Sequence, residues 1–231
     1  GVVYHELIEE TRHHLAPHRP ARGAGRIVQW FTRGIMTRPT RLKAAMLPVK
    51  LVQAIGLWPL MLKLGDLLLP AKLAKMQRLM PTDTPLWESP LARRYPAHGP
   101  ARATVGYFGG CVSSVLQQEI NRKAIALLQR AGCDVLVPRT QNCCGAIHHH
   151  GGDAPTAIEL AQRNIEAFED VEMVVNAVAG CGAMLKQYHE LLQDDAEWGP
   201  RAKAFAEKTR DIHQALVQHR LALPTKAMAV T

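Results

Sequence analysis

The feature that most restricts this chain is an alternation of short β-prone runs and helical stripes in its second half. "TVGYF" at 104–108 stops at Gly109-Gly110-Cys111. Leu116, Ile120, Ala124, Leu127, Leu128 and Ala131 then trace one helical face, and Gly132 follows as a stop signal. "DVLVP" (134–138) predicts a second strand ended by Pro138. Ile158, Ala161, Ile165 and Phe168 give a second helical stripe, with Thr156 and Glu159 spaced as a capping box. "EMVVNAV" (172–178) predicts a third strand, helices are expected over 182–193 and 200–220, and "KAMAVT" (226–231) reads as a fourth strand. This alternation makes βαβ units, so the expected class is α/β with a mostly parallel, Rossmann-like sheet.

Residues 1–98 carry no strand signal and predict an all-helical segment, with helices over 3–15, 25–37 and 41–56. The most apolar stretch, "LVQAIGLWPLMLKLGDLLLP", is interrupted by Pro59, Lys63 and Asp66. A spanning helix wants about 20 mostly apolar residues without charges, so this one is too broken to span. The plain reading is a helical layer packed on the main domain or on a partner subunit. The sharper reading is a basic amphipathic element resting on a membrane surface. Five prolines within 80–102 make that stretch an extended linker. The expected division is a helical basic segment at 1–80, a Pro-rich linker at 81–102, a cysteine-bearing α/β domain at 103–224, and the start of a truncated repeat at 225–231.

Charge divides the chain in the same place. Residues 1–103 hold 16 Lys and Arg against 6 Asp and Glu, whereas 104–231 hold 12 against 14. A basic front half attracts anionic lipid, an acidic protein or nucleic acid. No aromatic-interleaved basic motif or nucleic-acid module is visible, which leaves nucleic acid the weakest of these partners. With 47% hydrophobic residues the chain can bury a sizeable core.

The five cysteines are Cys111, Cys133, Cys143, Cys144 and Cys181. An odd count with no secretory leader predicts reduced thiols and a cytoplasmic setting, with metal or redox chemistry favoured over disulfide staples. Adjacent Cys143 and Cys144 are poor disulfide partners for each other. Four of the five fall at or beyond the carboxyl ends of predicted parallel strands, where ligands gather in open α/β sheets. Glycines at 109, 110, 145, 180 and 182 flank them, and glycine lets backbone approach a bulky object closely. The chain has no pair of C-x₂₋₄-C knuckles for structural zinc. Thiolates scattered over about 70 residues and gathered by a sheet suit an iron–sulfur cluster better. Cys133, at a helix end, reads as an ordinary buried residue. His148, His149 and His150 are expected to support the site by hydrogen bonding or charge, or to lie in a solvated loop, more than to ligate an ion.

The order Cys, Cys-Cys-Gly, Cys-Gly, with 31 residues between Cys111 and Cys143 and 36 between Cys144 and Cys181, resembles the cysteine-rich CCG domain of heterodisulfide reductase-like proteins. "GGCVSSVLQQEINRKAIALLQRAGCDVLVPRTQNCCGAIHHHGGD", "AQRNIEAF", "AGCGAMLKQY" and the opening "VYHELIEETR" are similar to the iron–sulfur subunit of glycolate oxidase, or glycolate dehydrogenase. The resemblance covers essentially the whole chain. It implies an electron-transfer subunit in which Cys111, Cys143, Cys144 and Cys181 hold a [4Fe–4S] cluster. It also implies a flavoprotein partner that carries FAD and oxidises glycolate to glyoxylate, and a quinone-linked acceptor. The helical basic segment would dock partner subunits or the inner face of the cytoplasmic membrane. Two departures stand out. The full domain pattern ends Cys-x-x-Cys, but here that last position is Met184, so the fifth thiolate of a non-cubane cluster is missing. The ferredoxin-like region and second CCG repeat of the family are also missing, which implies a piece of a longer subunit. Rival readings are a sister subunit for lactate or glycerol 3-phosphate, a zinc-binding scaffold module, and a thiol–disulfide catalyst using Cys143 and Cys144.

Overall fold

The computed structural model describes residues 4–18, 23–82, 85 and 89–219. Among the described residues five α-helices come first: α1 (Tyr4–Leu15), α2 (Ala24–Phe31), α3 (Pro39–Ala54), α4 (Trp58–Leu68) and α5 (Ala71–Arg78). A π-helical turn at Thr32–Met36 continues α2. The expected helical segment is therefore present. No single helix among the described residues is long and apolar enough to cross a membrane; α3 and α4 pass that test only together and are bent by 112° at their junction.

Beyond them lie β1 (Arg94–Tyr95), β2 (Ala103–Phe108), α6 (Ser113–Leu116), α7 (Gln118–Arg130), β3 (Cys133–Leu136) and α8 (Ala146–His150). The chain continues through α9 (Ala154–Ala167), β4 (Met173–Asn176), α10 (Ala179–Leu191), α11 (Trp198–Lys208), β5 (Thr209–Asp211) and α12 (Ile212–Gln218). The sheet order is β1-β3-β2-β4-β5. All neighbours are parallel except β1, which runs antiparallel to β3 with Arg94 opposite Leu136. The expected α/β class with a mostly parallel sheet is what the chain adopts.

The central strand β2 shows why both faces must be covered. Its Val105 and Tyr107 enter one buried cluster with Ile125 and Leu128 of α7, Val135, Val175 and Ala215. Phe108 enters a second cluster with Phe168, Leu185, Tyr188 and Phe205, under α9, α10 and α11. Because β3 and β4 flank β2, the α7 and α9 crossovers lie on opposite faces, and the crevice beyond the carboxyl end of β2 is a topological switch point.

Three local expectations are revised. The strand β1 lies inside the stretch expected to be an extended linker: two residues between prolines show no periodicity, yet Arg94 pairs with Asp134 while Val137 N–H donates to Arg93 O at 2.8 Å. The helix expected over 200–220 is split by β5, where Thr209 pairs with Val174 and donates its hydroxyl to Phe205 O. Asp211 then opens α12 with a true capping box to Gln214. The box expected at Thr156 and Glu159 is absent, since α9 begins three residues earlier with Asp153 as N-cap and Pro155 in its first turn. The fourth strand expected at 226–231 lies outside the described residues.

The helical segment is fastened to the carboxyl edge of the sheet. Thr37 is buried and its carbonyl accepts from Cys143 N–H at 3.4 Å. The buried Lys50 donates to Val115 O at 3.3 Å and Pro85 O at 3.2 Å. Arg33 pairs with Asp153 at 2.7 Å, and Arg12 donates to His150 O at 2.7 Å. The opposite faces of α3–α5 stay open, with Ile55, Leu60, Leu67, Leu68, Met76 and Leu79 exposed.

Gly106, in the middle of β2, lacks a side chain for a packing reason. A Cβ there would lie 2.5 Å from Phe168 Cδ1 and 3.0 Å from Val171 Cγ2. Gly106→Ala is expected to cost about 1–3 kcal/mol by overpacking. Urea denaturation checks this, and pairing the change with Phe168→Leu should show favourable coupling.

Candidate metal centre

Each cysteine segment begins where a parallel strand ends, and each is held by a buried amide side chain. After β2 the backbone turns at Gly110, whose φ of +69° favours glycine, and Cys111 follows, 5% exposed. Asn121, wholly buried on α7, donates to Gly109 O at 3.2 Å and accepts from Tyr107 Oη at 2.9 Å and Ser113 Oγ at 3.2 Å. Gln141, from the loop after β3, accepts from Gly109 N–H at 2.9 Å and donates to Tyr107 O at 3.2 Å. The backbone groups left over at the end of β2 are thereby satisfied, and the two loops are tied together.

The Cys143-Cys144 pair is braced from the opposite side. Asn164 of α9 accepts from Asn142 N–H at 2.9 Å and donates to Cys143 O at 3.0 Å. Tyr188 of α10 donates to Cys144 O at 2.8 Å and accepts from Asn164 at 3.0 Å. Both side chains are fully buried. Gly145 then takes φ +90°, ending the pair and opening α8.

Cys181, expected just past the third strand and ahead of a helix over 182–193, lies in the first turn of α10, which begins at Ala179. Free N–H groups and the positive helix end favour a thiolate there. Its neighbours Ala179 and Gly180 are exposed, and a Cβ on Gly180 would meet nothing within 4 Å, so this corner is the open side of the site. Asn176 shapes the approach to that turn by accepting from Val178 N–H at 3.3 Å.

The four thiols Cys111, Cys143, Cys144 and Cys181 come together, and all are free. Cys111 Sγ donates to Cys143 Sγ across 3.4 Å, well beyond a disulfide bond of about 2.05 Å. Cys143 accepts hydrogen bonds from Cys111 and Cys144, which outweigh burial and hold its thiol down at about 3; the Gly145 N–H and His148 assist. Cys181 is lowered by a hydrogen bond from Cys144, against burial. The donors Cys111 and Cys144 are raised, first by those same bonds and then by burial. The four thus titrate as one set. Four soft sulfur donors in a mostly dry pocket fit a thiolate-bound metal group, and no three of them lie within 4.8 Å of one another, which suits an iron–sulfur cluster better than a single zinc.

Cys133 lies in the other core cluster, wholly buried across the sheet, with its thiol pushed up to about 11 by burial. That position agrees with its reading as a packing residue. Met184, one helical turn beyond Cys181, is fully buried in the cluster that contains Cys111, Cys143 and Cys144.

The three histidines are not a solvated loop, because 146–150 is a short helix. His148 is buried and its Nδ1 lies 3.1 Å from Asp153 Oδ2. His149 and His150 point instead to Glu9 of α1, at 3.4 and 2.6 Å. Asn121, Gln141, Asn164, Tyr188 and Glu9 were not singled out from sequence. Asn164 had a visible signal: it sits between Ala161 and Ile165 on the apolar stripe of α9, where a polar residue needs a buried partner.

Residues 105–186 match the CCG cysteine-rich domain family. The chain is 37% identical, over 94% of its length, to the probable glycolate oxidase iron–sulfur subunit of Bacillus subtilis (strain 168), covering 50% of that protein. It is 34% identical over 49% of its length to lactate utilization protein A of the same organism, covering 48% of it. The corresponding protein of Halalkalibacterium halodurans is 36% identical over the same share, with 46% of it covered. The chain thus spans about half the length of the curated relatives it matches. No solved structure matches it. Residues 105–186 are therefore a cysteine-rich domain of the CCG family, in a chain that resembles the glycolate oxidase iron–sulfur subunit along nearly all its length.

Proposed function

We propose that this chain is the iron–sulfur electron-transfer part of a complex that oxidises a 2-hydroxy acid, glycolate first, with Cys111, Cys143, Cys144 and Cys181 holding one [4Fe–4S] cluster. The observation that carries the reading is the convergence of four reduced thiols, from three strand ends, in one pocket. A bound cluster supplies one-electron storage at a potential tuned by charge, hydrogen bonding and exposure.

The chain's own residues do the rest. Cys111, Cys143 and Cys144 are 3–5% exposed, so water is kept from most of the site, while the Cys181 corner leaves a short way out for an electron. Asn164 and Tyr188 fix the carbonyls of the cysteine pair and so the direction of their side chains. Met184 offers only a neutral thioether at the fifth position, which favours an ordinary cubane cluster. Substrate oxidation belongs to a flavoprotein partner with FAD, and electrons pass on towards a quinone-linked acceptor. The open faces of α3–α5, apolar with Lys63, Lys72 and Lys75 among them, are the docking surface for partner subunits at the cytoplasmic face of the membrane. The similarity to lactate utilization protein A supports lactate as the second substrate to try.

Anaerobically prepared chain should be brown, carry about four iron atoms per cluster site, and bleach when glycolate is added with the flavoprotein. Colourless protein with one sulfur-bound zinc contradicts the cluster. A brown protein bleached by lactate and not by glycolate contradicts the substrate alone.

The braces make a separate prediction. Tyr188→Phe leaves the Cys144 carbonyl without its donor and should cost about 1–3 kcal/mol in unfolding free energy. Asn164→Ala removes three hydrogen bonds and should cost more, with faster cluster loss on exposure to chelator.

A further inference from the structure

We propose that Glu9, His149 and His150 form a second metal site, for a divalent ion of the zinc type, that clips α1 onto α8. The site is distinct from the cysteine pocket and does not depend on what that pocket holds.

The geometry comes from two helices. Glu9 and His13 are four residues apart and share one face of α1. His149 and His150 end α8, the short helix that starts directly after Cys144-Gly145. Consecutive side chains do not ordinarily converge, but both imidazoles here close on one carboxylate. His149 Nε2 lies 3.4 Å from Glu9 Oε2, and His150 Nδ1 lies 2.6 Å from Glu9 Oε1. One donor atom from each of the three residues falls within 4.8 Å of the others. Zinc takes imidazole nitrogen and carboxylate oxygen at about 2.0–2.2 Å in a tetrahedron, which sets donors roughly 3.4 Å apart, so small side-chain rotations suffice.

Three further observations point to an ion. The Glu9 and His149 side chains are only 15% and 16% exposed, so the carboxylate's charge is largely removed from water. The His149 ring meets Glu9 through Nε2, while its Nδ1 is buried without a hydrogen-bond partner. His13 packs its ring 5.1 Å from that of His149, and its buried Nε2 has no hydrogen-bond partner, which makes it the candidate fourth ligand, water being the other. Among the described residues no other group of three His, Cys, Asp or Glu residues shows this spacing. The ion would serve structure. It would fasten the front helix to the segment that continues from Cys144, beside the Arg12 contact to His150 O.

The test uses the full chain without a histidine tag, its cysteine site loaded, treated with chelator and then titrated with zinc. The expected result is about one tightly held zinc per chain, with an X-ray absorption first shell of nitrogen and oxygen only. Glu9→Gln and His149→Asn should each weaken zinc binding at least tenfold while iron content and helical circular dichroism stay at wild-type values. Absence of stoichiometric zinc in the folded wild type would overturn the site, as would zinc bound through sulfur or binding unchanged in both variants. Sulfur-bound zinc in place of iron would also count against the cluster, whereas loss of nitrogen and oxygen binding alone would leave it standing.

Discussion

Backbone that leaves a β-sheet loses its hydrogen-bonding partners, and in this protein it does so at three neighbouring strand ends inside a mostly dry pocket. Amide side chains meet that demand. Asn121 and Gln141 satisfy the end of β2, Asn164 with Tyr188 satisfies the Cys143-Cys144 turn, and Asn176 shapes the entry to α10. Unpaired polar groups in such a place cost about 1–3 kcal/mol each, so the turns are held in one conformation. The cysteines inherit that rigidity, which is what a metal site needs from its surroundings.

The same pocket explains the thiol electrostatics. Burial opposes ionisation at every cysteine, yet hydrogen bonds passed between neighbours leave Cys143 and Cys181 as the acidic members. Metal–sulfur bonds are the natural relief for such a set, since they replace the shared protons. Cys133, equally buried but alone across the sheet, is only raised. The helical front segment contributes to the enclosure through the Thr37 carbonyl, Lys50 and the Arg33–Asp153 pair. It is therefore part of the site's wall while its outer face stays free.

Much of this was legible in the sequence, for physical reasons that differ by element. Helices with apolar stripes, such as α7 and α9, and the buried runs of β2 and β4 announce themselves through periodicity and length. Placement of Cys111, Cys143, Cys144 and Cys181 on one edge follows from their positions after parallel strands. Strands β1 and β5 did not show, because two or three residues cannot carry a period and their places are set by pairing with β3 and β4. The split of the histidines, with His148 towards Asp153 and its neighbours towards Glu9, depends on a five-residue helix and on a contact with a helix at the far end of the sequence. Nothing local to "HHH" encodes it.

The most direct test of the four-thiolate centre is a series of single Cys→Ala changes, read by iron content and visible absorption of the anaerobic protein. Loss of the cluster is expected for Cys111, Cys143, Cys144 and Cys181, with the Cys133 variant keeping it. A full cluster in any of the four, or a Cys133 variant that folds and yet loses it, would contradict the assignment.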